Sequence, residues 1–155
     1  MIAVVVLLVI VVLVVVFVIA QYNGLVRLRN ETQNAWAQVD VVLRRRYDLV
    51  PNLVETVKGY AAHERETLEA VIQARSGAID ASAVADQADS ENMLSGALRR
   101  LFALSEAYPA LKADSNFMEL QKELVQTEGL IGYARGSYNE SVLAFNNKSQ
   151  VFPSN

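Results

Sequence analysis

The first twenty residues, Met1 to Ala20, contain only Met, Ile, Ala, Val, Leu and Phe, without a single polar position. As a helix this run is about 30 Å long, the thickness of the hydrocarbon core of a bilayer. Valine dominates it. In lipid the need to satisfy every backbone group inside the segment overrides the strand preference of β-branched residues. The run exceeds the apolar stretch of a signal peptide and has no basic residues before it, so it reads as a retained anchor. Arg27 and Arg29 follow it closely. By the positive-inside rule the N-terminus lies outside the cell membrane and the remainder in the cytoplasm.

Beyond the anchor the pattern changes to helical periodicity. Leu25, Trp36, Val39, Leu43 and Val50 share a stripe interrupted by Arg29, Thr32 and Arg46. Only Gly24 separates this stretch from the anchor, which predicts one long helix leaving the membrane. Pro51 disfavours helical geometry at Val50, and Asp48 can cap a new helix with Pro51 in its first turn. Leu53, Val57, Tyr60, Ala61, Leu68, Val71 and Ile72 form the face of that second helix, which Ser76-Gly77 can end. Residues 77–89, small and acidic, read as the one long connection. A third helix follows, capped by Asp89 or Ser90, lined by Met93, Leu94, Ala97, Leu98, Leu101 and Phe102, and stopped at Tyr108-Pro109. In the last stretch Phe117, Leu120, Leu124, Thr127, Ile131, Ala134, Tyr138, Ser141 and Phe145 repeat at alternating spacings of three and four. That is a coiled-coil-like heptad seam, capped by Asp114 or Ser115. The prediction is an all-α chain: a single transmembrane helix, 1–20, continuing into an antiparallel four-helix bundle within 21–155.

Composition adds exclusions. The chain has 155 residues, 52% of them hydrophobic, and a formal charge of −3 from 14 basic and 17 acidic residues. Without its first twenty residues it is about 45% apolar, an ordinary globular value. No cysteine means no disulfide, thiolate nucleophile or iron–sulfur cluster. The charge leaves no footprint for nucleic acid. The one histidine, His63, has Tyr60 three residues before it and Thr67 four after, so neither a zincin pair nor a di-iron Glu-x-x-His set can be assembled. No cofactor, metal or catalytic set is expected. Serines lack a base, and the carboxylates mostly fall on solvated faces.

Three groups remain as candidates. Glu64 lies near a seam and can pair with Arg29 or Arg46, which would set helix register more than stability. Gly129, Gly132 and Gly136 break helix propensity at one face, which suggests packing or assembly. Arg44, Arg45 and Arg46 form the densest basic cluster. On a straight helix Arg44 stands about 36 Å from the anchor's own bilayer, past the Debye length of about 8–10 Å. The cluster is therefore directed at a neighbouring subunit, a partner or a second membrane, or is simply solvated.

The segments YNGLVRLRN at 22–30, AWAQVDVVLRRRYDLVPNLVETVKGYAAHERETLEAV at 35–71, ALRRLFALSEAYPALKADSNFMELQKEL at 97–124, ARGSYNESVLAFN at 134–146 and VFPSN at 151–155 resemble the LemA family. The resemblance implies a single-pass membrane protein, N-terminus outside, carrying an antiparallel helical bundle. No enzymatic activity is established for that family, one branch of it is associated with magnetosome membranes, and the resemblance implies an apolar, aromatic-rich tail beyond the FPSN element. The expected role is a self-associating membrane scaffold, homo-oligomeric in the lipid bilayer. A regulatory adaptor that holds a protein partner on a bundle face is the alternative.

Overall fold

The computed structural model describes residues 1–152, and all its elements are helical. Helix α1 runs Ile2–Tyr60, α2 Arg65–Asp80, α3 Val84–Leu104, α4 Pro109–Lys112 and α5 Ser115–Gln150. The described residues pack as two compact units, residues 41–131 and residues 1–40 with 132–152.

The first unit is an antiparallel four-helix bundle made from the later part of α1, α2, α3 and the earlier part of α5. Its core contains Leu43, Val50, Leu53 and Val57 from α1, Val71 from α2, and Leu94 and Leu101 from α3. Phe117, Leu124 and Thr127 from α5 complete it. The one-turn α4 adds Leu111, fully buried, with Pro109 opening it where a missing N–H costs nothing. The expected seam of α5 is the observed one: Phe117, Leu124, Thr127, Ile131 and Ala134 are buried and Leu120 is half-buried. Asp114 is its cap, accepting from the Phe117 backbone N–H at 2.8 Å. Met93, expected on the inner face of α3, is 67% exposed.

Helix α3 stops at Leu104, short of the expected Tyr108-Pro109, and two larger boundaries differ from expectation. Helix α1 does not end at Pro51; it passes through it and stops nine residues later, at Tyr60, where Ala61–Glu64 make the turn. Proline leaves the carbonyl four residues back, on Tyr47, without its helical donor. The Arg75 Nε of α2 donates to that oxygen at 2.7 Å. Second, the connection expected over 77–89 is only residues 81–83. Alanine-rich sequence continues both helices on either side. Ala78 is buried there, and the Gln87 side chain caps its carbonyl at 3.0 Å.

In the other unit, α1 and α5 lie antiparallel. Trp36 and Tyr138 rings meet with centroids 5.1 Å apart. The Thr32 hydroxyl donates to the Ser141 carbonyl at 3.3 Å, and Lys148 donates to the Gln21 side chain. Ala35, Val39 and Ala134 are buried in this unit. Residues before Ala20 have no such cover: every one is exposed.

Candidate functional site

An exposed leucine in a soluble protein needs no explanation, but nineteen consecutive apolar residues exposed in one helix do. Over an 18-residue window the mean hydropathy is 4.0, none of that window is buried within the chain, and the helix is long and apolar enough to cross a membrane. Gln21, Tyr22 and Asn23 end it, and Arg27 follows, within reach of Glu31 at 3.7 Å. Arg29 is exposed.

Inside the bundle, the chemistry concentrates on Arg46. This residue continues the buried spacing of Val39, Leu43, Val50 and Leu53, and it is 4% exposed. Its Nη1 meets Glu91 Oε2 at 3.0 Å and Glu128 Oε2 at 2.9 Å; its Nη2 donates to the Ser95 hydroxyl at 2.8 Å. Glu91 is buried to 1% exposure, whereas the Glu128 side chain is 55% exposed. The other oxygen of Glu91 accepts from the Tyr47 hydroxyl, which itself accepts from Gln87 Nε2 at 2.9 Å. Burial, then the bond to Glu91 and its charge, hold the Tyr47 hydroxyl well above the ordinary tyrosine range. Among the described residues no buried side-chain donor or acceptor lacks a partner. The network is therefore closed, and its chemistry is structural: it fixes how α1, α3 and α5 meet.

The seam cation anticipated at Arg46 is thus present, but its carboxylates are Glu91 and Glu128. Glu64 instead lies in the turn after α1 and accepts from the Tyr108 hydroxyl at 2.9 Å, a bond that lifts Tyr108 above its usual value. Glu91 is hard to find in the sequence because a lone carboxylate reads as a solvated position. Its spacing of three before Leu94 and seven before Leu98 is the available signal. A matching tie joins Tyr60 and Asp114 at 2.8 Å. It raises Tyr60, while the Phe117 N–H, and secondarily Tyr60, hold the Asp114 carboxyl below the usual range.

The triple arginine divides by burial. Arg46 is inside, Arg44 is exposed, and Arg45 stands 4.0 Å from Glu123, with its own side chain 55% and that of Glu123 37% exposed. Gly129, in the bundle, and Gly132 and Gly136, in the helix pair, have open space where a Cβ would stand. They make no close packing within the chain. His63 is exposed in the turn after α1. Among the described residues no three His, Cys, Asp or Glu side chains are grouped to hold a metal ion.

A family model, the LemA family, matches residues 35–155. The chain belongs to the LemA family. Protein LemA of Metamycoplasma hominis is 28% identical over 141 residues, which cover 88% of this chain and 63% of that protein. Magnetosome proteins MamQ 1 and MamQ 2 of Paramagnetospirillum magneticum are each 26% identical over 164 residues, covering 89% of this chain and 60% of theirs. The chain therefore spans less than two thirds of the length of these curated relatives. The match of this LemA-family chain to the family model opens at Ala35, past the apolar run, and takes in the whole bundle. Pro153, Ser154 and Asn155 of the FPSN element lie outside the described residues.

Proposed function

We propose that this LemA-family chain is a non-enzymatic membrane scaffold that self-associates laterally. Its N-terminus is extracytoplasmic and its bundle cytoplasmic. The observation that carries the reading is the wholly exposed apolar segment, continuous in one helix with polar-faced sequence. Anchoring confines copies to two dimensions, where weak lateral contacts suffice. The relatives named magnetosome proteins fit a membrane-associated role. The candidate contact is the outer face of α5 at Gly132 and Gly136, where Tyr133 is 78% and Leu143 60% exposed. Arg44 and Arg45 supply charge for a neighbouring copy.

Light scattering on the full-length chain in nanodiscs and in mild detergent tests the proposal, with a discrete multimer expected. Gly132→Leu with Gly136→Leu should return it to monomer without lowering its melting temperature, since both added side chains point into open space. A monomer in both media overturns self-association. Topology is read by introducing one cysteine at Ile2 or at Glu140 and labelling intact cells with a membrane-impermeant maleimide; labelling at Glu140 alone reverses the orientation.

A groove of about 370 Å³ between α2 and α3, lined by Ala70, Ala74, Gly77, Gly96 and the exposed Met93, favours a second reading as an adaptor for another protein. Cross-linking in cells separates the two: homotypic products support the scaffold, and exclusively heterotypic ones the adaptor.

A further inference from the structure

The geometry points to a second lipid contact in this chain: Val151 and Phe152, just past the C-terminal end of α5, enter the bilayer interface beside the exit of the apolar helix. The inference rests on the reading of residues 2–20 as a membrane span.

The register of the helix pair carries it. Trp36 meets Tyr138, Thr32 meets Ser141, and Lys148 meets Gln21. The Lys148 Cε also lies 3.8 Å from where a Cβ on Gly24 would stand. Along α5, each step towards the C-terminus is therefore a step along α1 towards the apolar run. Gln21 is the first polar residue after that run, so Lys148 is already at its edge. Phe152 comes four residues later, two past the end of α5, where the Val151 N–H still bonds the Asn147 carbonyl at 3.1 Å; extending the antiparallel register that far sets it level with the last turn of the run, Phe17 to Ala20. Both helices thus reach the same membrane surface, one leaving it and the other returning.

The residues delivered there have the chemistry of that boundary. Phe152 is 85% and Val151 60% exposed, so most of their apolar surface lies outside the packed chain. Across from them Tyr22 is 67% exposed. Aromatic rings at the headgroup level with cations just outside it are the usual furniture of a membrane interface. Here Tyr22 and Phe152 supply the rings, and Lys148 and Arg27 the cations. In water the Phe152 ring would be a solvated apolar group; at the end of a lipid-embedded helix its burial is favourable. The occupant is the acyl–headgroup boundary of the same bilayer that holds the span.

The native chain has no cysteine, so single labels report cleanly. Full-length chain carrying a nitroxide at Phe152→Cys, Leu13→Cys or Glu140→Cys is placed in phosphatidylcholine–phosphatidylglycerol vesicles. Collision rates are read with oxygen, which partitions into lipid, and with a water-soluble nickel chelate. The expected result is oxygen dominant at 13 and, less steeply, at 152, with the nickel chelate dominant at 140. Because the label at 152 replaces the ring, Val151→Cys with Phe152 in place repeats the measurement, and adding Phe152→Asp should turn the 151 label towards the chelate. A label at 152 as open to nickel as that at 140, with 13 still in lipid, overturns the inference and leaves the span standing. Labels at 151 and 152 shielded from both reagents mean a protein covers them, which also overturns it. Nickel access at 13 removes the span itself and the inference with it.

Discussion

A guanidinium and a carboxylate buried to a few per cent exposure depend on each other. Removing one leaves the other charged without water or partner. Arg46→Leu should therefore destabilise the full-length chain by about 3–5 kcal/mol in denaturant unfolding. Arg46→Leu combined with Glu91→Leu should recover much of that loss, because an apolar pair of similar bulk leaves no orphan charge. Glu128→Ala should cost less than about 1 kcal/mol, since that side chain is half in water. A double variant no more stable than Arg46→Leu would show that the network stabilises rather than specifies. Asp114 gives a pH test. Its folded carboxyl titrates below its ordinary value, so its contribution is present above an unfolded value of about 3.9 and fades as pH falls through the depressed one. Asp114→Asn keeps a capping oxygen but removes the titration. Thermal melts by circular dichroism should then depend less on pH across that acid window.

At the scale of the helix, what was legible depended on where the decisive atom sits in sequence. The α5 seam could be read because its periodicity is local and its cap, Asp114, is adjacent. Arg46 could be placed on a seam because it falls in step with Leu43 and Val50. The passage of α1 through Pro51 could not be read. Local rules end a helix there, and the donor that replaces the missing N–H belongs to Arg75, on another helix. The short α2–α3 turn was hidden similarly, because small acidic sequence resembles a loop until Ala78 and Gln87 are seen to be engaged. The Pro51 arrangement makes a cycle. Arg75→Leu should cost about 1–3 kcal/mol by orphaning the Tyr47 carbonyl. In a Pro51→Ala background the same change should cost clearly less, because alanine at that position restores a backbone N–H that can donate in its place. Equal costs in the two backgrounds, measured by urea unfolding, would break the link.

For the molecule as a whole, the apolar segment dominates. Its apolar residues, at about −0.3 to −0.6 kcal/mol for each Leu, Ile, Phe or Val, outweigh one central arginine at about +3. Leu13→Arg should leave the chain in the membrane fraction after carbonate extraction. Arginines at Val9, Leu13 and Phe17 together should release most of it. The helix pair beside that segment has a consequence in time. Gln21 and Lys148 are 127 residues apart, so their bond waits until α5 has been made, whereas α2 and α3 can meet once the ribosome has passed Leu104. A nascent chain is therefore tethered before it is clasped. Until α5 emerges, Trp36 stands without the Tyr138 ring that packs against it, on a helix already held in lipid.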